Sequence, residues 1–323
     1  MAFLDGKPVA GRGAGIATFA GIDWVTDPTG AQIAVLGVPF DAGGAVRVGA
    51  RQGPAAIRRA SMASLRPSHR NGRVPTRACR CIDMGDVALI NELPDVSRRL
   101  VEDEAFRCLD AGARVLALGG DHATTLPLLR AARRATGVPL ALVHFDAHQD
   151  VVESYYGGAV RYNNGTVFSR AVEEGLVDPQ RSIQMGMNGT VFPGMRPEDS
   201  RALGFTVIEA DALVAMAPDS LAQRVFAITA GAPAYLSFDL DVFDVSVAPG
   251  TGAPEAGGLL AREGLAFLRA LDGLPLVGAD VVEMNPLFDS ADITAILAAN
   301  VAFELLTLLS AATGEGHEQH STS

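Results

Sequence analysis

Short, unbroken apolar runs alternate along this chain with longer stretches in which apolar residues recur three and four apart, from Ile33 to Leu309, and no low-complexity linker separates them. An unbroken apolar run suits a strand covered on both faces, and the three-and-four spacing marks one face of a helix. The pattern predicts strands over residues 33–39, 81–86, 114–118, 139–145, 182–187, 205–208, 234–239 and 276–282. Helices are predicted over 54–61, 97–111, 123–136, 167–174, 262–271 and 293–313. Strands and helices taking turns imply an α/β fold, a single-domain three-layer sandwich around a mostly parallel sheet of about eight strands. The domain is expected to span residues 1–313. Residues 314–323, which begin at a glycine and carry His317 and His320, are expected to form a disordered tail.

Polar residues break the pattern at several strand ends. His144-Phe-Asp-Ala-His-Gln-Asp150 closes one apolar run and Ser237-Phe-Asp-Leu-Asp241 closes another. Residues two apart on a strand project to the same side, so Asp239 and Asp241 should share a face. Asp146, His148 and Asp150 follow the same rhythm, the last of them where strand gives way to loop. A third run, Leu116-Ala-Leu-Gly-Gly-Asp-His122, breaks at its glycines and delivers His122 at the start of a helical stretch. Open α/β sheets place their sites beyond the carboxyl ends of strands, and these four aspartates and two histidines suit two divalent metal ions there. An oxygen-rich, thiolate-free shell favours Mn(II), and Ni(II) or Co(II) tolerates the same donors. His144 reads as a buried strand residue.

Charge narrows the partners. The formal net charge of −11 argues against nucleic acid and against an anionic membrane surface. There is no uninterrupted apolar run of roughly eighteen residues, and the first residues lack the basic-then-apolar order of a signal peptide, so a cytoplasmic location is expected. Cys79, Cys81 and Cys108 are an odd set without finger-type spacing and read as reduced structural thiols. His69 reads as an ordinary surface residue.

Four aspartates against two divalent ions and one hydroxide leave the site at about −1, which disfavours phosphate. Nor do the ligand-bearing segments supply an Arg or Lys to clamp phosphoryl oxygens. Glu283, in Val281-Val-Glu-Met-Asn-Pro286, ends the last predicted strand at the same sheet edge. A carboxylate can accept two parallel N–H bonds from a planar guanidinium, so a small cationic guanidino substrate fits. A hydroxide bridging two ions roughly 3.5 Å apart would attack its central carbon and release urea and an amine.

These blocks resemble the ureohydrolases, the family that contains arginase, agmatinase, guanidinobutyrase and proclavaminate amidinohydrolase, over nearly the whole chain. The resemblance is carried by Gly119-Gly-Asp-His122, Asp146-Ala-His-Gln-Asp150, Ser237-Phe-Asp-Leu-Asp241 with Asp244, and Glu283-Met-Asn-Pro286. Gly37-Val-Pro-Phe-Asp41, Arg47-Val-Gly-Ala-Arg-Gln-Gly-Pro54, Ala248-Pro-Gly-Thr-Gly252 and Gly257-Gly258 add to it. It implies that His122, Asp146, Asp150 and Asp239 hold one metal and Asp146, His148, Asp239 and Asp241 the other, with Asp146 and Asp239 bridging. It also implies a Mn-dependent enzyme that assembles as trimers or hexamers, with Glu283 binding the guanidinium. The loop Val151-Val-Glu-Ser-Tyr-Tyr-Gly-Gly158 looks like agmatinase and its relatives rather than arginase, pointing to a linear guanidino compound without an α-amino acid head.

Three positions depart from the family pattern: Asn164 where a proton-shuttling His is usual, Asn188 where relatives often show Arg, and Val245 where Pro commonly follows Asp244. Asn cannot titrate but still donates and accepts hydrogen bonds, so proton delivery falls to hydroxide, Asp150 or solvent, with Asn164 and Asn188 as substrate contacts. A remodelled pocket admits a second substrate class: free or N-alkylated guanidine, or a biguanide such as metformin. The rival readings are a non-catalytic ureohydrolase-like subunit, including one in a hetero-oligomer with an active paralogue, and a zinc deacetylase on a related fold. The deacetylase would require paired histidines, for which His144 is the only candidate.

Overall fold

Along strand β3 (Ile33–Gly37), Ile33 and Val35 enter one hydrophobic core while Ala34 and Leu36 enter a second on the opposite face of the sheet. Covering both faces is what demands an unbroken apolar run, and every residue of β3 is buried. The computed structural model describes residues 15–44, 47–65, 69, 72–190 and 196–313, with the backbone of 3–4 and 7–8. There, β1 (Phe3–Leu4) and β2 (Lys7–Pro8) form a small antiparallel pair. With β3, the strands β4 (Cys81–Asp86), β5 (Arg114–Leu118), β6 (Ala141–Phe145), β7 (Ile183–Met187), β8 (Thr206–Glu209), β9 (Ala234–Asp239) and β10 (Leu276–Val282) make one eight-stranded sheet. Its order is β4-β3-β5-β10-β9-β6-β7-β8, and every neighbouring pair is parallel. The expected tail 314–323 lies outside the described residues.

The helices are α1 (Gly53–Ser64), α2 (Pro75–Ala78), α3 (Pro94–Asp110), α4 (Thr125–Thr136), α5 (Val167–Glu173), α6 (Pro197–Leu203), α7 (Ala210–Val214), α8 (Pro218–Thr229), α9 (Ala261–Ala270) and α10 (Ile293–Ala312). The first core is closed by α1, α9 and α10 through Ile57, Leu268 and Leu305, the second by α3 and α4 through Val101 and Leu129. Truncating a fully buried strand residue such as Leu116 or Leu236 to Ala would cost about 2–5 kcal/mol.

Several expectations are corrected. Helices α2, α6, α7 and α8 were not anticipated; each is short or opens on a proline, and α8 buries only Leu221, Ala222, Val225 and Thr229, too sparse a stripe to stand out. Helix α10 is long and apolar enough to cross a membrane by composition although no uninterrupted apolar run exists, yet 83% of that window is buried inside the protein, as befits a core helix. His69 is buried rather than a surface residue, with Nε2 2.6 Å from the Glu304 carboxylate of α10.

The topology positions the site. Strands β5, β10, β9 and β6 are consecutive at the centre of the sheet, so the segments that follow them open side by side on one edge. Those segments carry His122, Glu283, Asp241 and Asp146, while Asp239 is the last residue of β9.

Candidate active site

Strand β6 stops at Phe145, so Asp146, His148 and Asp150 all lie beyond it, and alternation along a strand is not what brings them together. Turn hydrogen bonds do that work. Asp146 Oδ1 accepts from the His148 N–H at 2.6 Å, Asp239 Oδ1 accepts from the Asp241 N–H at 2.8 Å, and Asp241 Oδ1 accepts from the Ala147 N–H at 3.2 Å. Asp150 adopts a left-handed backbone, φ 51°. Before His122 the chain presses so closely on β3's following loop that a Cβ at Gly120 would run into the Phe40 carbonyl. Asp121 then caps the turn by accepting from Ala123 N–H at 3.0 Å, which sets His122 at its first position.

Two constellations result. His122 Nδ1 lies 3.0 Å from Asp146 Oδ2, 3.1 Å from Asp150 Oδ2 and 3.1 Å from Asp239 Oδ2. His148 Nδ1 lies 3.3 Å from Asp146 Oδ1 and 3.1 Å from Asp241 Oδ2. Asp146 belongs to both. The buried His122 Nδ1 has no properly directed hydrogen bond despite three oxygens at contact distance. Two donor atoms each about 2.1 Å from one ion and at right angles sit ~3.0 Å apart, so this misdirected crowding has the spacing of a near-octahedral cation shell. All six sequence-predicted ligands are thus brought together, and all but the half-buried His148 are buried.

The electrostatics demand positive charge. Burial and the neighbouring carboxylates Asp241 and Asp146 hold Asp239 well above the usual carboxylate range, and burial pushes Asp241 up to about 6. Burial alone would also raise Asp146, but the imidazoles of His122, His144 and His148 around it outweigh burial and hold it well below the usual carboxylate range. Burial would depress His122 and His148, yet their carboxylate partners keep both well above the ordinary imidazole value. Divalent cations placed among these carboxylates would relieve the same repulsion.

Around these donors stands a second set of contacts that sequence reasoning missed. His144 is buried on its strand as expected, but its Nε2 lies 2.9 Å from Asp146 Oδ2 and its ring joins His122 and Asp146 in one cluster of metal-grade donors. Gln184 donates to His144 Nδ1 at 3.0 Å, leaving Nε2 as the protonated nitrogen that supports Asp146. His122 Nε2 lies 2.9 Å from Ser237 Oγ, which donates to Asp280 Oδ1 at 2.7 Å; the same carboxylate accepts from Thr125 Oγ1 and Tyr235 OH. Ser237, Tyr235 and Asp280 were legible only as polar residues inside otherwise apolar strands. Phe168 packs edge-on to His122 and tilted over His144, closing the apolar side.

Glu283 turns in from the end of β10 with a left-handed backbone, φ 66°. Its Oε1 accepts from the His122 N–H at 2.8 Å and from Asn164 Nδ2 at 3.4 Å. Burial, with Asp121 nearby, pushes the carboxyl up to about 8, and a cation placed against it would favour its charged form. Asn188 donates its amide to the Ala256 carbonyl at 2.6 Å, pinning the loop that follows β9.

A model of the arginase family matches residues 31–307. The chain is 41% identical over 300 residues to guanidinopropionase from Pseudomonas aeruginosa, covering 92% of this chain and 93% of that one. It is 41% identical over 292 residues to agmatinase from Neisseria meningitidis, covering 88% and 87%. The solved structure of proclavaminate amidinohydrolase from Streptomyces clavuligerus superposes with a TM-score of 0.87 at 37% identity, over 94% of this chain and 100% of that one.

Proposed function

Because the chain belongs to the arginase family, the ureohydrolases, we propose that it hydrolyses a C–N bond of a linear guanidino compound, agmatine-like or a guanidino acid, to urea and an amine at the site built around Asp146. The observation that carries this reading is the His122 nitrogen surrounded by three carboxylate oxygens at 3.0–3.1 Å without a directed hydrogen bond. His122, Asp146, Asp150 and Asp239 would hold one ion and Asp146, His148, Asp239 and Asp241 the other, Mn(II) first, with Ni(II) and Co(II) suited to the same donors. When bound, such a pair lowers the pKa of water into the neutral range and polarises the carbon to be attacked.

The chain's own residues do the rest. Glu283, its Oε1 fixed by His122 and Asn164, grips the guanidinium and orients its flat face. Asp150, buried beside the cluster, can carry a proton toward the leaving amine, a task the amide of Asn164 cannot perform. His144 and Phe168 exclude water from the far side.

The same Asn164 supports a second substrate reading. A neutral amide against Glu283 in place of a titratable ring suits free or N-alkylated guanidine, or a biguanide. Exposed Val48, Leu287, Phe288, Ile293 and Ile296 support assembly into a trimer or hexamer, of one chain or with a paralogue. The test is urea release from linear, alkylated and biguanide substrates after loading with Mn, Ni or Co, alongside metal analysis. About two ions per chain and urea from at least one substrate are expected. An empty site, or silence across the panel, would reject catalysis in favour of a scaffold.

A further inference from the structure

Of the six clustered side chains His148 is the most exposed, which makes its side the open edge of the site, and beside it stands a carboxylate that the proposed chemistry does not use. His148 is the one half-buried member of the six, its side chain 17% exposed, and its Nδ1 faces Asp146 and Asp241. On the opposite side of the ring, His148 Nε2 faces Glu255, whose Oε1 is 3.7 Å away and whose side chain is 24% exposed. Glu255 is held there. The Val245 N–H donates to its carbonyl at 2.9 Å, Asn188 donates to the carbonyl of Ala256, and the Gly257 N–H donates to Asp244 Oδ2 at 2.7 Å. Its carboxylate lies over Gly189, a left-handed residue at φ 76° where any side chain would run into it. Backbone on both sides therefore fixes an acid at the rim.

Among the described residues Glu255 forms no ion pair with an Arg or Lys. The segments after β5, β9 and β10, residues 119–124, 240–260 and 283–292, contain neither Lys nor Arg. Among the neighbouring loops, Arg51 pairs with Asp41, Arg161 with Glu173, and Arg196 sits at the N-cap of α6. Arg47 has its guanidinium over the Phe288 ring, 4.7 Å from the centroid. Asn188, beside Glu255's loop, is neutral. With two divalent ions in place the four ligand aspartates are compensated, His148 is a neutral ligand, and Glu283 is matched by the guanidinium, so Glu255 adds to the hydroxide's negative charge at the entrance.

Resting on the guanidine-hydrolase reading above, we propose that Glu255 reads the substrate's tail, admitting guanidines whose tail carries a second positive charge and repelling those that end in a carboxylate. It selects through charge at the mouth and takes no part in bond cleavage.

The metal-loaded full chain is assayed for urea release from three guanidines of matched length: 4-aminobutylguanidine, butylguanidine and 4-guanidinobutyrate. The wild type is expected to show kcat/KM highest for the amino tail and lowest for the carboxylate tail, with the extremes separated by about tenfold or more, and salt should narrow the gap. Glu255→Gln, nearly isosteric at a partly exposed position, should compress that ratio by roughly tenfold, with the change falling on the two charged-tail substrates relative to butylguanidine when all are assayed at saturating metal. A wild type that prefers the carboxylate tail, or a Glu255→Gln variant that loses activity equally on all three, overturns the inference and leaves the hydrolase reading standing. No urea from any of the three with two ions bound brings down both.

Discussion

His122 Nδ1 and Asp239 Oδ2 lie 3.1 Å apart although β10 intervenes between the strands from which they come. Each reaches past β10 from a strand end, and Glu283, emerging from β10 itself, accepts from the His122 N–H beneath them. The last strand of the sheet in sequence therefore delivers Glu283 to the middle of a cluster whose other carboxylates and imidazoles come from both sides.

Replacing Asp239 by Asn removes a carboxylate expected to serve both ions. Metal content measured by elemental analysis should fall well below two per chain, and kcat should drop by at least about a hundredfold. A variant that keeps both ions and full activity contradicts the assignment.

Ser237→Ala leaves His122 Nε2 without the hydroxyl that links it to Asp280. The ligand set itself stays intact, so a chelator competition should show metal affinity weakened by roughly 10–100-fold rather than abolished. Unaltered affinity would mean that the Ser237–Asp280 link does not orient the imidazole.

Glu283→Gln retains the hydrogen-bond acceptor toward His122 but loses the charge proposed to face the guanidinium. Urea release should fall by about a hundredfold or more in kcat/KM, with two ions still bound. Loss of metal along with activity would show that Glu283 supports the ions instead of the substrate.

Asn164→His places an imidazole against Glu283 Oε1, where the amide now sits at 3.4 Å. A several-fold rise in turnover of agmatine-like substrates is expected, with a new ionisation in the pH–rate profile near the imidazole range. An unchanged or lower rate shows that Asn164 belongs to a pocket built for another guanidine.

The metal-free protein should become less stable as pH rises. Burial lifts Glu283 from 4.5 to about 8 and Asp121 from 3.8 to about 7, and carboxylate partners lift His122 and His148 above 6.5 against burial. A group whose pKa is raised by folding contributes stability below its unfolded value and loses it as pH climbs through the folded one. Asp146 and His144, both held low, work in the opposite direction, Asp146 only at acid pH and His144 around the ordinary imidazole range, but the raised groups outnumber them. Chelator-treated protein should therefore melt several degrees lower at about pH 8.5 than at about pH 6, and added metal should raise the melting temperature more at the higher pH. A flat or rising profile in the chelated protein refutes this account of the charge balance.

Reading the residues alone located every strand of the large sheet, because a strand buried on both faces must be apolar throughout and the breaks at Gly119, Asp146 and Asp239 are abrupt. It also singled out six candidate donors that the fold brings close together, since carboxylates and imidazoles clustered at apolar strand ends are costly without a cation. The reason first assigned to their convergence was wrong for Asp146, His148 and Asp150, which meet through turn hydrogen bonds beyond the end of β6. Helix α8 was missed because its buried stripe is sparse, and His69 because a histidine in a polar stretch says nothing about a glutamate on a distant helix.

Local chemistry determined what this chain carries: parallel strands that need cover on both sides, donors suited to hard divalent ions, and a glutamate able to hold a guanidinium. Tertiary structure alone decided who meets whom. The order in which strands dock is a long-range packing outcome, and it put β10 between β5 and β9, set Ser237 and Asp280 behind His122, turned His144 onto Asp146, and brought Glu255 to the rim beside His148. Those contacts join residues far apart along the chain, and no periodicity in a sequence encodes a distance across a fold.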